Sequence, residues 1–371
     1  MAKKKVGMRP ESEAELAEVV RGAAGPLSLR GGGTRGPTAP GAVLDLTGLS
    51  GVRLYEPGAL TLVAGAGTPL EEIEALLAGE GQVLPFEPPD LRALLGRAGR
   101  STIGGVAAAN ASGPRRVRAG AARDALIGVR CVDGRGAVIK SGGRVMKNVT
   151  GLDLVKLMAG AHGTLGVLSE VAFKVLPAPE SLASLCLHGL TVARAVAAMA
   201  AALGSPYEVS GAAHVPGRAE THLRIEGFAT SVAYRLERLR GLMAAEGAEM
   251  SVSPDPGALW RGLRDGAPLA GGAGDLWRLS VQPSAAPGLV ARLPEGAGTL
   301  LDWGGGLIWV RVPEGTDLRA ALGSFAGHAR LMRSTSNLPV FAPEAPGVAR
   351  LSQGLRAAFD PRGILNRGIM G

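Results

Sequence analysis

The sequence predicts an α+β fold of two unequal domains, and three observations carry that prediction. At 371 residues the chain is long enough for two to three domains of ordinary size. Up to residue 176 it is a series of short, period-2 apolar runs separated by single helical patterns and glycine-rich turns. After Pro177-Ala178-Pro179-Glu180, where two prolines break any element crossing them, strand and helix patterns alternate. The expected units are therefore 1–178, a smaller α+β domain at 179–340, and a tail at 341–371.

Residues 10–24 read as a helix, with Pro10 placed early, acidic residues in the first turn and Gly25-Pro26 as the stop. LSLR (27–30), VLDL (43–46), VRLYE (52–56) and LTLVA (60–64) read as strands bounded by Gly, Pro or Thr. A helix from Pro69 to Ala78 puts Leu70, Ile73, Leu76 and Leu77 on one face. DALIGVRCVD and AVIKSG form a hairpin through Gly134-Arg135-Gly136, followed by a short helix at 151–158 and the strand SEVAFKVL. In the second unit SLCLHGL precedes a helical TVARAVAAMAAALG, and THLRIEGF precedes TSVAYRLERLRGLMAAEG. Helices packed on one face of one sheet are the expected result. WRLSV, TLLDW, LIWVRV and HARLMRS follow, and the Pro-rich tail turns helical at VARLSQGLRAAF.

Composition excludes several classes of function. With 46% hydrophobic and 19% charged residues the chain builds a core and is not disordered. The net charge is +8, yet only 7 of the 40 basic residues are lysine, and the arginines are scattered among few aromatics (4%). Nucleic-acid surfaces cluster their cations and interleave aromatics, so no nucleic-acid partner is expected. Cys131 and Cys186 each sit in an apolar run and read as buried thiols. No charge-free apolar run approaches the roughly 18 residues of a membrane span, and no signal-type apolar segment follows Lys3–Lys5. The expected location is the cytoplasm, with any contact at the inner membrane made through partner chains.

Glycine and proline together make up about 22% of the chain against an average of about 12%, and the informative share lies in four loops. Gly31-Gly32-Gly33-Thr34-Arg35-Gly36, flanked by Arg30, follows a strand directly and reads either as an anion-binding nest or as a flexible hairpin loop. Gly65-Ala66-Gly67-Thr68-Pro69 fails as a dinucleotide fingerprint, because Leu70 stands where the third glycine is required. In STIGGVAAANASGP the hydrogen-bonding Thr102, Asn110 and Ser112 lie among residues small enough for another surface, or a ligand, to come close. Arg115, Arg116, Arg118 and Arg123 follow as candidates to neutralise a diphosphate. GAHGTLGVL (160–168) leads into a buried strand. Four such loops in one unit favour a long cofactor threaded through it.

The order RGGGT, LPFEPP, STIGGVAAANASGP and VMKNVTGLDLVKLMAGAHGTLGVLSEVAFKVLP resembles the vanillyl-alcohol-oxidase (PCMH) type of FAD-binding domain. Within it, GPRRVRAGAARDALIGVRCVDGRGAVI, LWRLSV and the ending FDPRGILNRGIM are most similar to the E-subunit family of bacterial glycolate oxidases. The resemblance implies a two-subdomain FAD-binding domain, a cap, and a tail returning to the first domain. It implies FAD contacts from Arg30, Gly31, Gly32, Gly33, Thr34 and Arg35, from Pro85, and from Thr102, Gly104, Gly105, Asn110, Ser112, Gly113 and Arg116. Val167 and Leu168 would border the isoalloxazine edge, with Asn366 near the flavin end.

Departures from the family pattern sharpen the expectation. The first glycine loop lacks the histidine through which some relatives tether FAD, and neither cysteine lies in a glycine loop, so non-covalent FAD is expected. Leu152 stands where relatives often carry tyrosine, and Arg367 replaces a proline after Asn366. The cap histidines, His188, His214, His222 and His328, include no close pair, so no metal site is expected. The implied substrate is a small 2-hydroxy acid, glycolate first. Arg278 is the candidate clamp for its carboxylate and His162 the candidate base. The implied partners are a catalytic FAD subunit and an iron–sulfur subunit feeding quinone. A non-catalytic assembly role and a stand-alone D-lactate dehydrogenase remain as alternatives.

Overall fold

The computed structural model describes residues 8–143 and 152–370; Lys3–Lys5 and the VMKNVTG segment lie outside the described residues. The helix Glu13–Gly22 starts at Ser12, whose Oγ accepts from the Glu15 N–H, and buries Leu16, Ala17 and Val20. Strands β1 (Leu27–Arg30) and β2 (Ala42–Asp45) pair in parallel, Leu27 opposite Ala42 and Arg30 opposite Asp45. Parallel strands cannot be joined by a tight turn. The chain between them must travel back the full strand length, so the glycine loop is a long connection and not a hairpin turn.

β3 (Val52–Glu56), β4 (Thr61–Gly65), β5 (Gln82–Val83), β6 (Leu126–Val132), β7 (Val138–Gly142), β8 (Val167–Lys174) and β9 (Leu176–Pro177) complete the first unit. Five of them form one sheet in the order β3-β4-β8-β6-β7, and β5 pairs with β9. Helices Leu70–Gly79 and Ile103–Ala109 cover this sheet, and Leu62, Ile73, Leu77, Ile103, Val106 and Phe173 share its core. Leu76 does not join them: it is 38% exposed, and the buried stripe narrows to Leu70, Ile73 and Leu77. The short helix spans Leu154–Met158, begun by Asp153, whose side chain accepts from the Lys156 N–H. Leu152 just before it is 86% exposed.

The cap holds β10 (Ser181–His188), β11 (Gly211–Val215), β12 (Glu220–Gly227), β13 (Met250–Val252), β14 (Asp275–Val281), β15 (Gly298–Asp302), β16 (Leu307–Val312) and β17 (Gly327–Arg333). They make one antiparallel sheet ordered β13-β10-β12-β11-β15-β16-β14-β17. One face buries Leu185, Leu223, Trp277 and Ile308 with Ala195 and Met199 of the helix Val192–Leu203 and Val232 and Leu239 of the helix Ala229–Met243. The other face, through Ala213, Leu276, Leu300 and Trp309, packs on Trp260 and on Leu91, Leu94 and Leu95 of the first unit. Apolar residues of both units thus share one core. β11 went unread in the sequence because its Gly211-Ala212-Ala213 carries little strand propensity, while burial of all five residues leaves no alternation to offset it.

After the helix Pro346–Phe359 the chain runs back beside β1. The Leu27 N–H donates to the Ile364 carbonyl at 2.7 Å and the Asn366 N–H to the Leu27 carbonyl at 3.0 Å. Asp360 Oδ2 accepts from the Leu365 N–H at 2.7 Å and fixes this turn.

Candidate functional site

The site begins where β1 ends. Gly31–Thr38, Ser101, Thr102, Ala108, His162 and Val167 help line a cavity of about 250 Å³. A second cavity of about 640 Å³ shares Arg30, Gly31, Gly32, Val43 and Thr102 with it, so the two make one extended groove. The glycines are required by chain packing: a Cβ on Gly31 would stand 2.5 Å from Thr102 Oγ1, and one on Gly104 would stand 2.6 Å from the Ala66 Cβ. Without side chains there, β1, the 101–105 segment and the end of β4 close around the groove.

Arg35 is the most informative side chain in the groove. Its Nη2 donates to the Pro89 carbonyl at 2.6 Å, while Nε and Nη1 are buried with no partner. Burial pushes this guanidinium down to about 10 despite Asp90 nearby. Ser101 Oγ is likewise buried and unpartnered. Unmet buried donors cost free energy, and a cation costs more. Glycine walls leave the groove room for a diphosphate; Arg35 lines it, and its sealed Nε and Nη1 would meet such a ligand only with the side chain turned into the groove.

Asn366, Gly104, Gly105 and Leu168 also line the groove. Asn366 lies at φ +44°, a left-handed conformation that asparagine tolerates. Its Oδ1 accepts from the Leu29 N–H at 2.8 Å and its Nδ2 donates to the His162 carbonyl at 2.7 Å, tying β1 to the histidine loop.

His162 is not built as a base, which corrects the expectation from sequence. Arg330 Nη1 donates to its Nε2 at 3.0 Å, occupying the lone pair, and burial with that guanidinium pushes the imidazole down to about 3. Neutral His162 instead holds Arg330, which sequence reading missed. The alternation His328-Ala329-Arg330-Leu331, with Ala329 and Leu331 buried, was the available signal.

Arg330 lies directly across from Arg278 on the neighbouring strand. Arg278 and Arg116 both stack on Trp303, at 5.1 and 4.7 Å from its ring centre. Burial pushes Arg278 and Arg330 each down to about 10, and lowers Arg116 as well. Among the described residues none of the three forms an ion pair with a carboxylate. Asp302, which accepts from the Trp303 N–H at 2.7 Å, is pushed up to about 7 by burial. Three guanidinium groups without a paired carboxylate make a cationic cluster that favours a small anion.

Five other expected contacts lie away from the groove walls. The helix Ile103–Ala109 ends at Asn110, at φ +48°, and the chain turns toward the cap. Asn110 Oδ1 accepts from the Arg123 N–H and Ser112 Oγ from the Ala122 N–H, each at 2.9 Å. The Gly113 carbonyl accepts from Trp303 Nε1 at 3.0 Å. Pro85 is buried in the first core's LPFE turn, and Arg116 faces the cap. Arg115 binds Glu226 at 2.6 Å and Arg118 pairs with Glu208, so neither serves a diphosphate in the groove. The junction is locked by Arg224, 1% exposed, which donates to Glu87 at 2.9 and 2.8 Å and stacks on Trp260.

Of the cap histidines, His188 meets Ser251 Oγ at 2.8 Å, His214 meets Thr221 Oγ1 at 2.9 Å, and His222 stands 3.4 Å from Glu220. Among the described residues no group of three or more His, Cys, Asp or Glu is arranged to hold a metal. No helix of the described residues is long and apolar enough to cross a membrane.

This architecture defines an FAD-binding flavoprotein, and residues 5–142 match the FAD binding domain family. The fold is that of alkyldihydroxyacetonephosphate synthase, at a TM-score of 0.68 and 16% identity, over 97% of this chain and 76% of that one. More particularly, the chain belongs to the family of the glycolate oxidase subunit GlcE of Escherichia coli K12, with 35% identity over 93% of its length and 92% of that protein. It is also 31% identical over 42% of its length to glycolate oxidase subunit GlcD of Bacillus subtilis. The D-lactate dehydrogenase of Anaerostipes hadrus matches at 31% over 40% of this chain. These two matches span about a third of those longer proteins.

Proposed function

We propose that this chain is the FAD-binding subunit of a glycolate oxidase complex and presents its own site for the 2-hydroxy acid. The observation that supports this most is the cluster of unpaired Arg278, Arg330 and Arg116, tied through Arg330 to His162 of the groove wall. When bound, FAD supplies the two-electron acceptor for oxidation of the hydroxyl carbon. Gly31–Arg35, Ser101 and Thr102 would hold it, without a covalent tether, since the groove offers neither cysteine. Arg278 clamps the substrate carboxylate through its planar fork, with Arg330 held beside it by His162. Trp303, fixed through its indole N–H on Gly113, forms the floor between Arg116 and Arg278.

The partners we propose are a second flavoprotein subunit and an iron–sulfur subunit passing electrons toward quinone. With only Cys131 and Cys186, both buried, this chain offers no cysteine set for a cluster. The test is glycolate-dependent dye reduction by the reconstituted complex carrying Arg278→Met in this chain. Losing a charged hydrogen-bond pair of about 3 kcal/mol should lower kcat/KM for glycolate by about 100-fold. Unchanged kinetics would move the substrate site to another subunit. Faster turnover of D-lactate than of glycolate would favour a D-lactate dehydrogenase.

A further inference from the structure

We infer that Nδ1 of His162 is a fixed, neutral hydrogen-bond donor to an acceptor on the ring system of bound flavin. The inference rests on FAD occupying the groove, and it uses the one polar atom of this residue left without a partner among the described residues. His162 sits at φ +51°, a left-handed conformation uncommon for histidine, and bonds on every other side hold it there. Its N–H donates to the Ala108 carbonyl at 2.9 Å, and its carbonyl accepts from Asn366 Nδ2 at 2.7 Å. The ring meets Phe341 edge-on, with centroids 5.4 Å apart. Arg330 Nη1 donates to Nε2 at 3.0 Å. A guanidinium has donors only, so Nε2 is the bare nitrogen and the proton of the neutral ring sits on Nδ1. Burial beside Arg330 keeps the ring neutral.

Nδ1 faces the glycine loop. A Cβ on Gly36 would stand 4.0 Å from it, and Gly36 and His162 both line the cavity of about 250 Å³. Unlike Nε and Nη1 of Arg35, this nitrogen is not sealed off by its surroundings. The neighbouring wall identifies the part of the cofactor that lies here. Arg35 is turned to the Pro89 carbonyl, and Arg9 and Arg100 line the second cavity. Beside His162 the cavity is walled by Ala108, Ala109 and Gly163, small enough for a flat ring to lie against. A donor at a ring acceptor holds the reduced, more negative ring more tightly than the oxidised one. Arg330 on Nε2 polarises the imidazole and strengthens that donor. His162 therefore raises the reduction potential of the bound flavin.

Two amide substitutions separate the two ring nitrogens. In His162→Gln the amide oxygen takes the place of Nε2 and keeps Arg330, but nothing replaces the Nδ1 donor. In His162→Asn the amide nitrogen takes the place of Nδ1, and asparagine suits the left-handed backbone. Redox titration of the FAD-loaded chain should find the potential of His162→Gln lower by about 30 mV, the equivalent of a tenfold weaker preference for reduced flavin, and that of His162→Asn unchanged. Nitrogen NMR of the histidine-labelled, FAD-free wild-type chain at neutral pH should show the His162 proton on Nδ1, its signal identified by its loss in His162→Gln. A proton on Nε2 overturns the tautomer, and the proposal with it, however the variants behave. An unmoved potential in His162→Gln, or equal shifts in both variants, overturns the donor and leaves the groove reading standing. A chain that shows the Nδ1 tautomer and binds no FAD overturns the groove reading and the proposal together.

Discussion

Arg35→Met is expected to act in opposite directions on the empty chain and on the loaded one. In the empty chain the guanidinium is held at about 10, against an ordinary 12.5, by burial. At about 1.4 kcal/mol per pKa unit this is a penalty of at most about 3.5 kcal/mol. Methionine removes that penalty and also the bond to the Pro89 carbonyl, worth about 1 kcal/mol. The flavin-free variant should therefore be as stable as the wild type or up to about 2.5 kcal/mol more stable. In the loaded chain, with the Arg35 side chain turned onto the proposed diphosphate, the variant would forfeit a charge-assisted pairing of about 3 kcal/mol, so FAD affinity should fall about 100-fold. Flavin fluorescence titration of the apoprotein and urea unfolding without FAD measure the two effects separately. Unaltered FAD affinity, or a destabilised apoprotein, would refute the assignment of Arg35 as an anion donor.

Glu87→Gln removes one of the two carboxylates beside buried Arg224, leaving Glu226 at 3.5 Å, and should cost about 1–3 kcal/mol in urea unfolding; no loss at all would contradict the lock between the units. Asp302 has a folded pKa raised to about 7 from 3.8, so its protonated form stabilises the fold below pH 3.8, and that contribution is lost as the pH rises to 7. Asp302→Asn should accordingly match the wild type near pH 4 and exceed it by a few kcal/mol at pH 8, whereas a constant offset across that range would exclude the buried carboxyl as its cause. Burial pushes both thiols up to about 12, so Cys131 and Cys186 should resist iodoacetamide at pH 8 in the native chain and react after denaturation. Native alkylation detected by mass spectrometry would contradict the packing of β6 or β10.

Local pattern made much of the fold readable. β1, β3 and β8 lie within a few residues of their period-2 runs, and the helix read over 10–24 is observed over Glu13–Gly22. What pattern could not carry was direction and partnership. LSLR and VLDL look the same whether paired parallel or antiparallel, yet the parallel pairing makes the glycine loop a long connection. Arg116 follows a glycine-rich run in sequence, but the left-handed Asn110 turns the chain toward Trp303 in the cap. His162 reads as a base until Arg330, 168 residues away, is found on its Nε2. The burial and missing partners of Arg35 are properties of the assembled groove, and no spacing of residues encodes them.

The most direct measurement is anaerobic titration of the isolated, FAD-loaded chain with glycolate, following the oxidised-flavin absorbance. With the arginine cluster as the substrate site, glycolate should bleach the flavin in this chain alone, and Arg278→Met should require about 100-fold more glycolate for the same bleaching. A flavin that stays oxidised in the isolated chain at saturating glycolate, and is bleached only when the partner subunits are added, would contradict the assignment of the substrate site to this subunit.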